Sequence, residues 1–163
     1  MAAEDALDVY LNDHLAGAAA GVELAEKLAA DADGTPMGRT LAGILADIRA
    51  DQEVLDGLRV AFGFKQHTVK AAGSWVAEKF ARMRFAAATR QGEELALLMQ
   101  LEALHMGVSG KLSLWQCLQA ARPVMAPLVG VTPDLDALIA RAQDQLARLE
   151  AERLRVAEAA FAH

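Results

Sequence analysis

This 163-residue chain is short of most features that announce a chemistry. It has one cysteine, Cys117, which excludes an intrachain disulfide and agrees with a reducing compartment, so a cytoplasmic protein is expected. Aromatic residues make up only 5% and prolines number four, all outside the helical patterns. With Ala and Leu dominant, that composition favours helices over strands. Lys and Arg number 16 against 22 Asp and Glu, a net charge of −6, so nucleic acid is not an expected partner. No run of about 18 apolar residues is free of charge, so no transmembrane segment is expected. The first residues, Met-Ala-Ala-Glu-Asp, are acidic and lack a basic-then-apolar signal pattern. No Gly-rich loop follows a strand, which leaves no phosphate cradle. No Ser-His-Asp arrangement is visible, and no repeat or low-complexity tract divides residues 1–163, which read as one domain.

What is present is a series of long apolar stripes, in a chain 54% hydrophobic and long enough to bury a core. The first predicted helix runs from Glu4 to Ala30, with Leu7, Leu11, His14, Ala18, Gly21, Ala25 and Leu28 at steps of three and four. Gly17 to Gly21 makes its middle thin, so a neighbouring helix is expected to approach closely there. Asp31 to Gly34 ends it, and Thr35-Pro36 starts the second helix as N-cap and first turn. That helix, Pro36 to Phe62, carries Leu41, Leu45, Ile48, Gln52, Leu55 and Phe62 on one stripe, with Asp47, Asp51, Glu53 and Asp56 scattered on several faces. The short link makes the pair an antiparallel hairpin.

Gly63 breaks the second helix. Residues 65–90 then hold six basic side chains against Glu78 alone, a formal +5. Val69, Ala72, Val76, Phe80 and Met83 mark an amphipathic helix there, with Trp75 beside the stripe. The third long helix, Glu93 to Ala121, has Leu97, Leu101, Leu104, Val108, Leu112 and Trp115 on one face, and Leu95, Met99, Met106 and Cys117 opposite. A helix apolar nearly all round is expected inside the bundle or at a subunit contact. Its methionines read as core filler, and Cys117 as an inert buried thiol. Pro123, Pro127, Gly130 and Pro133 make a stiff link, and Thr132-Pro-Asp-Leu starts the fourth helix, Pro133 to Phe161. Leu135, Leu138, Ala142, Leu146, Leu149 and Val156 form its stripe. Its outer face, dense in Arg141, Arg148, Glu150, Glu152, Arg153, Arg155 and Glu158, reads as a solvated surface. Two antiparallel hairpins joined by one long connection predict an all-α four-helix bundle with a crossover.

One motif carries chemistry. Glu102-Ala-Leu-His105 places a carboxylate and an imidazole on one helix face, the half-motif that a carboxylate-bridged metal site takes from a bundle helix. His14 on the first helix, with Asp51 or Asp144, would extend it to a two-histidine site suited to zinc or iron. The plainer reading makes these histidines ordinary bundle residues, hydrogen-bonded to carboxylates or backbone, and it is preferred.

Three stretches carry a resemblance: Leu11-Asn-Asp-His-Leu-Ala-Gly, Ala72-Gly-Ser-Trp-Val-Ala-Glu and Leu101-Glu-Ala-Leu-His-Met-Gly-Val-Ser-Gly-Lys-Leu. By these and by its layout the chain resembles the ferritin-like superfamily, nearest to the stress-associated YciF-type branch. The resemblance implies a ferritin-like bundle with a short helix in the crossover. It also implies a di-metal centre of one Glu from each of two helices and a Glu-x-x-His from each of two others. Glu102 matches the carboxylate of the third helix. The remaining positions fall near Ala18, Arg49 and Gln52, and the fourth helix offers only Gln143, Asp144 and Gln145. With most ligands missing, the expectation is a non-catalytic bundle acting through assembly or partner binding, as a homodimer and without a cofactor. The alternatives are a metal-binding or redox protein using Glu102, His105 and His14, and a basic-helix module facing an anionic membrane or an acidic partner. For the basic segment, packing of Trp75, Val76 and Phe80 on the bundle is preferred, so peripheral membrane contact is not expected.

Overall fold

A computed structural model describes residues 3–67, 90–122 and 133–162 of the chain. Among the described residues there are four helices and no strand: α1 (Ala3–Asp31), α2 (Pro36–Ala61), α3 (Arg90–Ala121) and α4 (Leu135–Phe161). The helix expected within 65–90 and the proline-rich link from Pro123 fall mostly outside the described residues.

Local chemistry sets the boundaries. Thr35 caps α2: its Oγ1 accepts the Gly38 amide at 3.0 Å and donates to the Ala32 carbonyl at 2.6 Å. Gly34 takes φ +75°, a conformation that glycine adopts without strain. A Cβ on Gly38 would lie 2.2 Å from the Ala32 carbonyl oxygen, so the turn can close against α2 only at a residue without a side chain. Phe62 caps the end of α2, and Gly63 follows at φ +74°. The cap of α4 is Asp134, whose carboxylate accepts the Ala137 amide at 3.0 Å; the start lies two residues beyond the expected Thr132-Pro133.

α1 packs on α2 and α3, and α4 packs on α3 and α2, so the helices close a ring in the order α1, α2, α4, α3. Leu11 shares a core cluster with Leu114 and Leu118, while Leu24 and Leu28 share the other with Leu98 and Leu101. α1 and α3 are therefore antiparallel. Asp47 and Asp51 pair with Arg148 and Arg141, which makes α2 and α4 antiparallel too. α2 and α3 are then parallel across the diagonal, and α3 begins at the opposite end of the bundle from where α2 stops.

The core is split along the bundle axis. One apolar cluster is built on Leu28, Leu41, Ile44, Leu101, Leu104 and Leu149. The other is built on Leu11, Leu55, Leu58, Trp115, Leu118 and Leu135. Each fully buried Leu or Ile contributes about 1.5–3 kcal/mol of transfer free energy, so the two clusters carry the fold. Between them, at Asp51, Lys111 and Gln145, the interior turns polar.

Two expectations about α3 and α4 are corrected. α3 is not buried all round: Cys117 is exposed and Met106 keeps 44% of its surface. Among the described residues α3 packs on α1 and α4 alone, which leaves these two positions uncovered; the subunit contact also expected for it is not addressed by a single chain. The charged face of α4 is not wholly wet, because Glu152 is only 5% exposed. Arg155, one turn on, pairs with it.

Candidate functional site

The polar layer arises from three polar residues that fall on the buried stripes themselves, at Asp51, Lys111 and Gln145. Asp51 lies between Ile48 and Leu55 on α2, and its side chain is 1% exposed. A carboxylate there must be paired or it would cost several kcal/mol. Lys111 Nζ donates to one of its oxygens, and the Arg141 guanidinium donates to the other, the Nε contact being 2.8 Å. Gln145, fully buried, donates from Nε2 to Asp51 at 3.2 Å and accepts from Lys111 through Oε1. Burial holds the Lys111 ammonium below its ordinary value of 10.5, against the pull of Asp51. Asp47 and Arg148 continue the network between α2 and α4.

On the α1 side of this layer the described residues leave a groove that is open to the surface, with Gly17 and Gly107 exposed. α1 contributes Gly17, Ala18 and Gly21 at this level, and α3 contributes Ala103, Gly107 and Gly110. A cleft of about 400 Å³ results, with Leu104, Val108, Leu114 and Trp115 among its apolar lining and Asp51 and Lys111 at its polar end. The close helix approach expected at Gly17–Gly21 is not made by any described residue. A Cβ on Gly17, Gly21, Gly107 or Gly110 would meet no described atom within 4 Å. Trp115 is fully buried, yet its Nε1 has no hydrogen-bond partner among the described residues.

His14 also lines the cleft, its ring edge-on to Tyr10 at 4.7 Å between centroids. Burial lowers its pKa from the usual 6.5, against a raising effect of Asp13, so the imidazole is neutral at pH 7. Tyr10 is pushed up to about 12, by burial and by its hydrogen bond with Cys117. Among the described residues the lining holds no serine, threonine or cysteine.

The other two sequence-chosen residues stand elsewhere. Glu102 faces α4 and lies 3.6 Å from Arg153. His105 Nε2 lies 3.9 Å from Glu150, which Arg153 holds with two contacts of 2.9 Å. Arg153 lowers the pKa of Glu150 by that hydrogen bond. Glu102 and His105 thus join one half-exposed charged cluster between α3 and α4, and His14 is not brought to it. Asp144 pairs with Arg148 at 2.7 Å. Of the positions implied by the ferritin resemblance, Ala18 and Gln52 line the cleft, while Arg49 is exposed and bound to Glu26. These donors do not fit a di-metal centre. The interior carboxylate is already neutralised by cations, and among the described residues no three His, Cys, Asp or Glu side chains are grouped to hold an ion.

Sequence reading missed Asp51 and Gln145 as an interior pair, and missed Asn12. Asn12 is 3% exposed; it donates to the Lys65 carbonyl at 3.1 Å and accepts the His67 amide at 2.9 Å. The signal for Asp51 was its fall four residues before Leu55 and three after Ile48, on the buried stripe itself. No helix among the described residues is long and apolar enough to cross a membrane. Comparison with family models, with curated proteins and with solved structures gives no match to this chain.

Proposed function

We propose that the chain is a non-catalytic, ferritin-like helical bundle that works by binding, with the α1–α3 cleft as its working surface. The ferritin-like part of this reading is supported by the hairpin order and by the parallel, diagonal placement of α2 and α3. The binding part is carried by one observation: a cleft of about 400 Å³ among the described residues, walled by small residues between α1 and α3.

The test is binding of a neutral apolar fluorophore, Nile red, to the wild type and to a Gly17→Leu/Gly107→Leu variant with unchanged helix content by circular dichroism. Saturable one-site binding that the variant loses is the expected result. Binding absent from the wild type, or equal in both proteins, overturns the proposal.

Assembly as a homodimer is the second reading. It is supported by Met106, 44% exposed beside Gly107 on the cleft. A second copy could cover that apolar rim. Sedimentation of a monomer only, at micromolar concentration, removes it.

A further inference from the structure

The open side of the groove shows Ala18 and Gly21 on the α1 wall, and Ala103, Gly107 and the 44% exposed Met106 on the α3 wall. The sequence expects a close neighbour at residues 17–21, and no described residue supplies it. Only two stretches outside the described residues are longer than two residues, 68–89 and 123–132. The second joins the end of α3 to the start of α4, and the hydrogen bond from Gln119 to Asp136 draws its two ends together on the α3–α4 edge. That edge does not border α1. Residues 68–89 remain.

Both ends of that stretch are fixed. The Asn12 side chain donates to the Lys65 carbonyl and accepts the His67 amide, and His67 Nε2 lies 3.2 Å from Asp8. His67 is thus held on α1, at the level where Leu11 meets Leu114 and Leu118. α3 begins at Arg90, which precedes those two residues by about 24 and 28 positions of helix, or about 36–42 Å along the bundle. With the amphipathic stripe over 69–83 helical and the other seven residues extended, 68–89 reach about 46 Å. That leaves little slack, so the path runs lengthwise, from the α2 side of α1 across to the start of α3. The groove lies along it. Charge favours the same path. α1 holds seven carboxylates against Lys27 alone, whereas 68–89 hold Lys70, Lys79, Arg82 and Arg84 against Glu78.

We propose that the groove between α1 and α3 is the seat of this chain's own residues 69–83, with the stripe of Val69, Ala72, Val76, Phe80 and Met83 laid against the small residues of both helices. Bulky side chains on one surface and alanines and glycines on the other are complementary in shape, and both lose apolar surface to water on contact. Counted from His67 at about 1.5 Å per residue, Val76 falls level with Gly21 and Gly107. The inference goes beyond the small-molecule reading of the cleft: it gives the groove a partner within the chain, with which an added apolar probe competes.

The experiment uses the full-length chain with Cys117→Ser. Val76→Cys is paired either with Gly107→Cys on the groove or with Gly57→Cys, which stands exposed on α2. Helix content by circular dichroism confirms that each variant folds. Under mild oxidation the Gly107 pair should form a disulfide within one chain at least about tenfold faster than the Gly57 pair, because seating raises the effective concentration of the two thiols. Equal rates overturn the proposal. A disulfide formed only between chains also overturns it, and assigns the groove to a second copy. A second arm needs no cysteine. Val76→Asp/Phe80→Asp puts charge on the stripe, so with its competitor removed Nile red should bind about tenfold tighter than to the wild type. Equal dye affinity, with no Gly107 disulfide, overturns the proposal and leaves the cleft a binding site. Dye bound by neither protein, with the Gly107 disulfide formed, supports the proposal and overturns the small-molecule reading instead.

Discussion

Replacing Asp51 by alanine is the sharpest perturbation of the interior. The side chain is 1% exposed and takes donors from two helices besides its own. Removing one partner of a buried ion pair typically costs about 3–5 kcal/mol, because the cations left behind lose their counter-charge. The two cations are not equally trapped. Arg141 keeps 34% of its side-chain surface and can turn to solvent, whereas Lys111 keeps 13% and retains only Gln145 as an acceptor. The cost should therefore lie at the lower end, about 3 kcal/mol. For a chain of this size that corresponds to a fall in Tm of roughly 6–12 °C. Chemical denaturation of Asp51→Ala, Lys111→Met and Asp51→Leu/Lys111→Met separates the terms. Lys111→Met should cost about 1 kcal/mol at most, since Arg141 still holds the carboxylate, and the double variant should recover much of the loss as an apolar layer. A loss below about 1 kcal/mol for Asp51→Ala would refute the reasoning, since no buried pair could then be in place.

Further outcomes follow from the same geometry. Lys111 is held below 10.5 in the fold, so the unfolded chain binds its proton more tightly; stability should rise with pH from its lowered pKa up to 10.5, and Lys111→Met should flatten that slope in urea titrations. His14 is lowered below 6.5, so its contribution is complete above 6.5 and is lost as pH falls toward its folded value; His14→Gln should remove that part of the acid sensitivity. Elemental mass spectrometry after incubation with Fe(II) and Zn(II) should show no stoichiometric metal that Glu102→Ala or His105→Ala releases, given their pairing with Arg153 and Glu150. Cys117 should react fully with a thiol reagent in native buffer, because it is exposed.

The helices were legible from their apolar stripes, and the start of α2 from its cap as well. Leu41, Ile48 and Leu55 are buried as their spacing requires, and Thr35 caps as its type predicts. The interior charges were not legible. Asp51 reads as one acid among several, and only the arrival of Lys111 and Arg141 from distant helices makes it a core residue. Cys117 was misread for a related reason: the periodicity of an apolar helix shows that it can be buried, not which neighbours exist to bury it. Gly17 and Gly21 were correctly read as a thin place, but sequence alone implied a helix pressed against it. The structure has open space there among the described residues, because α3 is equally thin at Gly107 and Gly110.

The central claim is that this space is kept for a ligand at the expense of helix stability. It is tested most directly by thermal melting of Gly17→Ala/Gly107→Ala with and without Nile red. Alanine should stabilise each helix by about 1 kcal/mol. The ligand-free variant should then melt roughly 4–8 °C above the wild type. The added methyl groups narrow the cleft, so the rise in Tm produced by the dye should shrink. A variant that melts below the wild type, or that keeps the full ligand-induced rise, would contradict the account.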